Sequence, residues 1–180
     1  AALLSGAEAN LAGVIVRLAG APAGYAAAAA LRRCLDAVRA AGKNVVAYGE
    51  RIGQPDYFVA SGADHVWLPE TGSLALVGLH SEGVYRKGLL DRLDLRADVV
   101  RVGSHKTAAE MLTREGMSPE SREQIEAYLD DVFAALVDAI ARGRGLAADA
   151  VRAAIDAAPG GARRACEAGL ADGCRYPDEV

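Results

Sequence analysis

At 180 residues, 52% hydrophobic and 24% charged, the chain is long enough for one substantial core and too short for two, and its composition argues against disorder. Its net charge of −4, with no basic run interleaved with aromatics, argues against a nucleic-acid partner. No apolar stretch approaches the length of a membrane span or follows a basic leader, so neither a spanning helix nor a signal peptide is expected within it.

Gly13-Val14-Ile15-Val16-Arg17-Leu18 is a β-branched run of the kind that forms a buried strand. Gly20, Pro22 and Gly24 punctuate a loop. From Tyr25 to Ala41, Leu31, Leu35 and Val38 recur at helical spacing, and Gly42 supplies the stop. Val45 to Tyr48 predicts a second strand, Pro55 to Ala63 a short helix, and His65 to Leu68 a third strand closed by Pro69. Leu74 to Val77 predicts a fourth strand, Tyr85 to Leu93 a helix, and Asp98 to Val102 another strand ended by Gly103.

Ser118-Pro119-Glu120 opens the longest helix, with serine at the N-cap, proline at N1 and a carboxylate near the positive end of the dipole. Ile125, Leu129, Val132, Leu136 and Ile140 form its apolar stripe, while Asp130 and Asp131 read as solvated. Gly143 and Gly145 stop it. Two alanine-rich helices follow, at Ala147 to Ala157 and Gly161 to Ala168. Short alternation of strand and helix indicates βαβ units and a mainly parallel sheet in one α/β domain over residues 1–180. The first strand sits a dozen residues in and the chain opens on alanine, so earlier strands are expected upstream and a sheet edge is expected to be open.

Cys34, Cys166 and Cys174 form no CxxC and lie at no ligand spacing with histidine, so buried or incidental thiols are expected rather than a metal site. No G-x-G-x-x-G occurs. No cofactor and no metal are expected.

The segment Val102-Gly103-Ser104-His105-Lys106-Thr107-Ala108-Ala109-Glu110 places a lysine at a strand end where a helix is expected to open, in a chain that otherwise relies on arginine. Arginine stays protonated in a protein, whereas a desolvated lysine can act as a neutral base. By itself Lys106 reads as a solvated lysine at a helix start or as such a base. Glu110 could orient it, or simply begin the helix with favourable charge, and the second reading is preferred because an ionised neighbour holds a lysine protonated.

This run, with Met117-Ser118-Pro119 and Arg122, resembles the lysine motif of the protease IV (signal peptide peptidase A) family. The similarity extends to Gly42–Gly49, Tyr57–Leu68 and Gly83–Asp91, in order along most of residues 11–175. The resemblance implies a crotonase-like (Clp-type) fold and a Ser/Lys dyad in which Lys106 is the general base. In catalytic halves of that family the serine precedes a double tyrosine. Here Gln54 stands at that place, in Ile52-Gly53-Gln54-Pro55-Asp56-Tyr57-Phe58, and has no nucleophilic oxygen. Pro55 also removes a backbone N–H beside it. Ser61 and the flanking Ser104 and His105 are weaker candidates, read as a packed small residue and turn residues.

Long members of the family resemble a tandem duplication with lysine in the first half and serine in the second. The expectation is therefore an incomplete first domain, inactive alone, contributing Lys106 to cleavage of apolar peptides such as remnant signal peptides. The resemblance further implies a serine-bearing C-terminal half as partner, a homo-oligomeric, tetramer-like ring, and a bacterial membrane-anchored protein with its peptidase part outside the cytoplasm. The alternative is a non-catalytic crotonase-like assembly module. A hydratase or thioesterase of acyl-coenzyme A is the weaker third reading, because the segment around Gln54-Pro55 lacks a glycine-rich oxyanion hole and an acidic base.

Overall fold

The β-branched run at the start forms strand β1 (Gly13–Arg17) in the computed structural model, which describes residues 12–20, 24–100, 102–103 and 106–180. These residues divide into two compact units, one running to Gly78 and resuming at Ala134, the other covering Leu79–Phe133.

In the first unit β1 leads to helix α1 (Tyr25–Ala40), strand β2 (Asn44–Tyr48), strand β3 (Arg51–Ile52), helix α2 (Gln54–Ala60), strand β4 (His65–Leu68) and strand β5 (Ser73–Leu74). Helix α1 closes as the sequence predicts. Gly42, at φ 74°, lets its N–H reach the Arg39 carbonyl and the Lys43 N–H reach that of Val38, the paired bonds of a Schellman stop. Strands β1, β2 and β4 are parallel neighbours, with Val14 opposite Val45 and Ala47 opposite Val66. Alternate residues Val45, Ala47, Val66 and Leu68 are buried, and α1 packs on β2. Each of the valine and leucine side chains contributes on the order of 1.5–3 kcal/mol when fully buried.

The second unit contains helix α3 (Lys87–Arg92), the short helix α4 (Glu110–Thr113) and the first turns of helix α5 (Pro119–Arg144). Ser118 caps α5 as its sequence position suggests: Oγ accepts the Ser121 N–H at 3.1 Å. The expected strand at Asp98–Val102 does not form. Residues 98–100 and 102 are irregular, and Arg101 lies outside the described residues. A β-branched run becomes a strand only where another strand takes its backbone hydrogen bonds, and this unit offers none among its described residues. Val100 and Val102 are accordingly 95% and 85% exposed.

From Ala134, α5 continues within the first unit, followed by helix α6 (Ala148–Asp156), strand β6 (Gly160–Gly161), helix α7 (Ala162–Glu167) and strand β7 (Gly173–Cys174). Strand β7 extends the main sheet, parallel to β4, giving the order β1-β2-β4-β7. A small second sheet sets β3 parallel and β6 antiparallel to β5. The fourth expected strand is thus shorter than its apolar run. Leu136, Ile140, Val151, Ile155 and Leu170 complete the core with Ile52, Tyr57, Val59, Leu74 and Leu76.

Two polar devices lock this unit. Arg32 on α1 donates to the Phe58 carbonyl and Ser61 Oγ, both at 2.6 Å, and to the Ala139 carbonyl on α5 at 2.8 Å. Gly143 makes the approach of α5 to α2 close, since a Cβ there would lie 1.8 Å from the Ser61 carbonyl oxygen. Near the C-terminus, Arg144 forms a bidentate pair with Asp172 at 2.9 Å in both arms. Asp172 also accepts the Val66 N–H at 2.7 Å. No helix among the described residues is long and apolar enough to cross a membrane.

Candidate active site

Lys106 lies in the second unit, on the irregular segment before α4 rather than in a helix. Its N–H makes only a long 3.5 Å bond to the Gly103 carbonyl, and regular helix begins at Glu110. The side chain is exposed and lines an open depression of about 600 Å³ with Val99, Val100, Val102, Thr107, Ala108 and Ala109. Ser104 and His105, the flanking polar candidates, lie outside the described residues.

The residues that follow hold this segment in place. Glu110 is buried, and its Oε2 accepts the Ser118 N–H at 3.1 Å. A carboxylate receiving the last free N–H before α5 satisfies both groups away from water. Thr107 Oγ1 donates to Gln124 Oε1 at 3.4 Å, in the second turn of α5. The two sequence blocks, Lys106-Thr107-Ala108-Ala109-Glu110 and Ser118-Pro119, are therefore one structural piece joined through side chains. That reading of Glu110 as structural was available from the sequence. Its partner Ser118 was not, because the bond bridges the irregular residues 114–117 that follow α4.

Gln54 occupies a different environment, in the first unit, as the first residue of α2. It is buried, and its carboxamide is fully engaged. Nε2 donates to Tyr25 Oη at 2.9 Å and to the Gly78 carbonyl at 3.0 Å. Oε1 accepts the N–H groups of Val77 at 3.2 Å and Gly78 at 3.0 Å. A hydroxyl at this position would be too short and carry too few donors to replace those bonds. Pro55 follows at the start of the helix and contributes no N–H.

Two further groups belong to this neighbourhood. Asp56 is buried, and burial raises its carboxyl above the ordinary range, partly opposed by a hydrogen bond from the Gly53 backbone. Sequence reasoning passed over it. The available signal was an acid in the first turn of a helix, where the dipole tolerates a carboxylate that burial disfavours. Ser61 is fully buried, donates to the Phe58 carbonyl at 3.2 Å and accepts from Arg32, so its oxygen faces no open space.

A mainly parallel sheet fed by βαβ crossovers and flanked by C-terminal helices defines the class: a crotonase-like α/β fold. The chain belongs to peptidase family S49, whose model matches residues 37–180. It is 33% identical over 111 residues to "Protease 4" of Haemophilus influenzae, covering 62% of this chain and 18% of that protein. It is 38% identical over 101 residues to "Protease 4" of Salmonella typhi, covering 56% of this chain and 16% of that protein. The "Serine protease SPPA, chloroplastic" of Arabidopsis thaliana is 25% identical over 171 residues, covering 95% of this chain and 25% of its own length. The chain thus spans a quarter or less of these curated relatives. A crystal structure of a peptidase from Plasmodium falciparum shares the fold with a TM-score of 0.53 at 8% identity, over 94% of this chain and 81% of that one.

Proposed function

We propose that this chain is the lysine-bearing, N-terminal half of a tandem serine–lysine peptidase, in which Lys106 Nζ takes the proton of a serine supplied by a serine-bearing C-terminal half. Membership of a peptidase family supports the reaction class. The observation that carries the division of labour is the pairing of two opposite environments. Lys106 is exposed beside an apolar depression, while the position matching the family's serine is filled by a carboxamide with all its hydrogen bonds made. Use of Lys106 as a base requires a second segment that covers the depression and removes water from the amine.

The chemistry then runs in one order. The covered, neutral Lys106 accepts the hydroxyl proton as the serine oxygen attacks the scissile carbonyl, and returns it to the leaving amine. The valine and alanine lining suits apolar peptides such as remnant signal peptides. The isolated half is inactive on this reading. A homo-oligomeric ring in the bacterial cytoplasmic membrane, with its peptidase part outside the cytoplasm, completes the proposal. Mixing this chain with the serine-bearing half and following an acyl-enzyme-forming substrate tests it. Activity should appear only with both halves and vanish with Lys106→Ala. Unchanged turnover in that variant would refute the role.

The exposure of Lys106, with Val100 and Val102 beside it almost wholly in water, also favours a second reading, a non-catalytic assembly module whose apolar surface is an oligomer contact. On that reading Lys106→Ala leaves any activity of the mixed halves intact, while Val100→Asp lowers the oligomer order seen by light scattering.

A further inference from the structure

Cys166 and Cys174 sit on elements that the fold returns to one another. Cys166 is in the last turn of α7, Cys174 ends β7, and α7 packs on β7. The reversal between them is firmly built. The N–H groups of Leu170 and Ala171 both bond the Ala165 carbonyl, and Gly169 at φ 70° donates to the Cys166 carbonyl. The return arm is then fixed from the other side, where the Asp172 N–H reaches the Val66 carbonyl and the Arg175 N–H reaches that of Leu68. The packed turn thus brings Cys174 close enough to the Cys166 thiol to act on it electrostatically. Both are free thiols, Cys174 exposed and Cys166 half-buried, and Cys34 stands apart on α1.

We propose that Cys166 and Cys174 form a dithiol that closes reversibly to an intrachain disulfide, stapling the edge strand β7 to α7. The two thiols differ in access, and this orders the steps. The exposed Cys174 thiolate attacks one sulfur of a low-molecular-weight disulfide such as oxidised glutathione, breaking its S–S bond and releasing one glutathione thiol. Cys166 then gives its proton to solvent, and its sulfur displaces the second glutathione from Cys174. The chain loses two protons and two electrons, and one glutathione disulfide becomes two thiols. Burial foremost, and then the neighbouring Cys174, push the Cys166 thiol above its ordinary value, which suits the resolving role rather than first attack. The link would fix the turn that carries Asp172 and the Leu170 carbonyl, the acceptor of the buried Tyr57 hydroxyl at 2.7 Å.

The test incubates the folded 180-residue chain with oxidised glutathione, titrates its thiols, and maps the peptides without reduction. Of the three cysteines, only Cys34 should remain titratable, a peptide linking Cys166 to Cys174 should appear in monomeric protein, and dithiothreitol should restore all thiols. Cys166→Ser should retain one glutathione on Cys174, whereas Cys174→Ser should form no link. Closure in denaturing urea should be slower by roughly tenfold, because the folded turn holds the sulfurs together. Cys166 and Cys174 both staying titratable, glutathione remaining on the wild-type chain, linkage through Cys34 or between chains, or equal closure rates in urea would each overturn the proposal.

Discussion

Replacing Gln54 with alanine probes a side chain that ties the start of α2 to the segment after β5. The change deletes four hydrogen bonds: two donated by Nε2, to Tyr25 Oη and the Gly78 carbonyl, and two accepted by Oε1, from Val77 and Gly78. At about 0.5–1.5 kcal/mol net per bond the ceiling is about 6 kcal/mol. Val77 is 69% exposed, so water recovers part of this on the backbone side and the expected loss is about 2–3 kcal/mol. For a chain of this size each kcal/mol lowers Tm by roughly 2–4 °C, so a drop of about 5–10 °C is expected in a thermal melt followed by circular dichroism. Gln54→Glu sharpens the test. An ionised carboxylate still accepts from Val77 and Gly78 but sets an oxygen against the Gly78 carbonyl, which favours the protonated acid in the folded state. Its folded pKa is then raised, so this variant should regain stability as pH falls toward 4 and lose it again toward neutrality. An alanine variant that melts with the wild type would refute the account of Gln54 as a structural tie.

Gly143→Ala should destabilise by more than about 3 kcal/mol, because its Cβ cannot share space with the Ser61 carbonyl, and a shifted urea midpoint would measure it. Arg144→Met leaves Asp172 without its bidentate partner and should cost about 2–3 kcal/mol at neutral pH, discounted because Asp172 is partly exposed. Burial alone would raise the Asp172 carboxyl, but Arg144 and the Val66 N–H together bring it below the ordinary value. That contribution is present above the ordinary carboxylate range and lost as pH falls through the depressed value, so the gap between wild type and variant should narrow in acid. Ser118→Ala removes the N-cap of α5 and should cost about 1 kcal/mol by the same urea assay.

Strands β2 and β4, helix α1 and the long α5 were legible because burial imposes a period on the sequence, and period is what a reader sees. Strand β1 forms where its β-branched run predicts, but as the edge strand of the described sheet, with no buried residue and Ile15 55% exposed, so the expectation of a buried strand fails there. Capping was legible too, at Gly42 and Ser118. The run Asp98–Val102 misled for the complementary reason: β-branched residues advertise a strand, but pairing is a non-local event and nothing in those five residues reports its absence. Lys106 was found through its sequence block and not through its surroundings. Its place on an irregular, exposed segment depends on Glu110 and Thr107 being drawn toward residues 118 and 124. The substitution at Gln54 was visible at once. Its hydrogen-bond partners, more than twenty residues away on either side, were not.

The helices of the first unit are rich in alanine, and small uniform side chains make smooth surfaces on which one helix can slide past another at little energetic penalty. Arg32 supplies what those surfaces lack. A rigid planar fork aimed at two carbonyls and a hydroxyl on two other helices works in one position only, so a single cation acts as an index mark that sets where α1 stops along its neighbours.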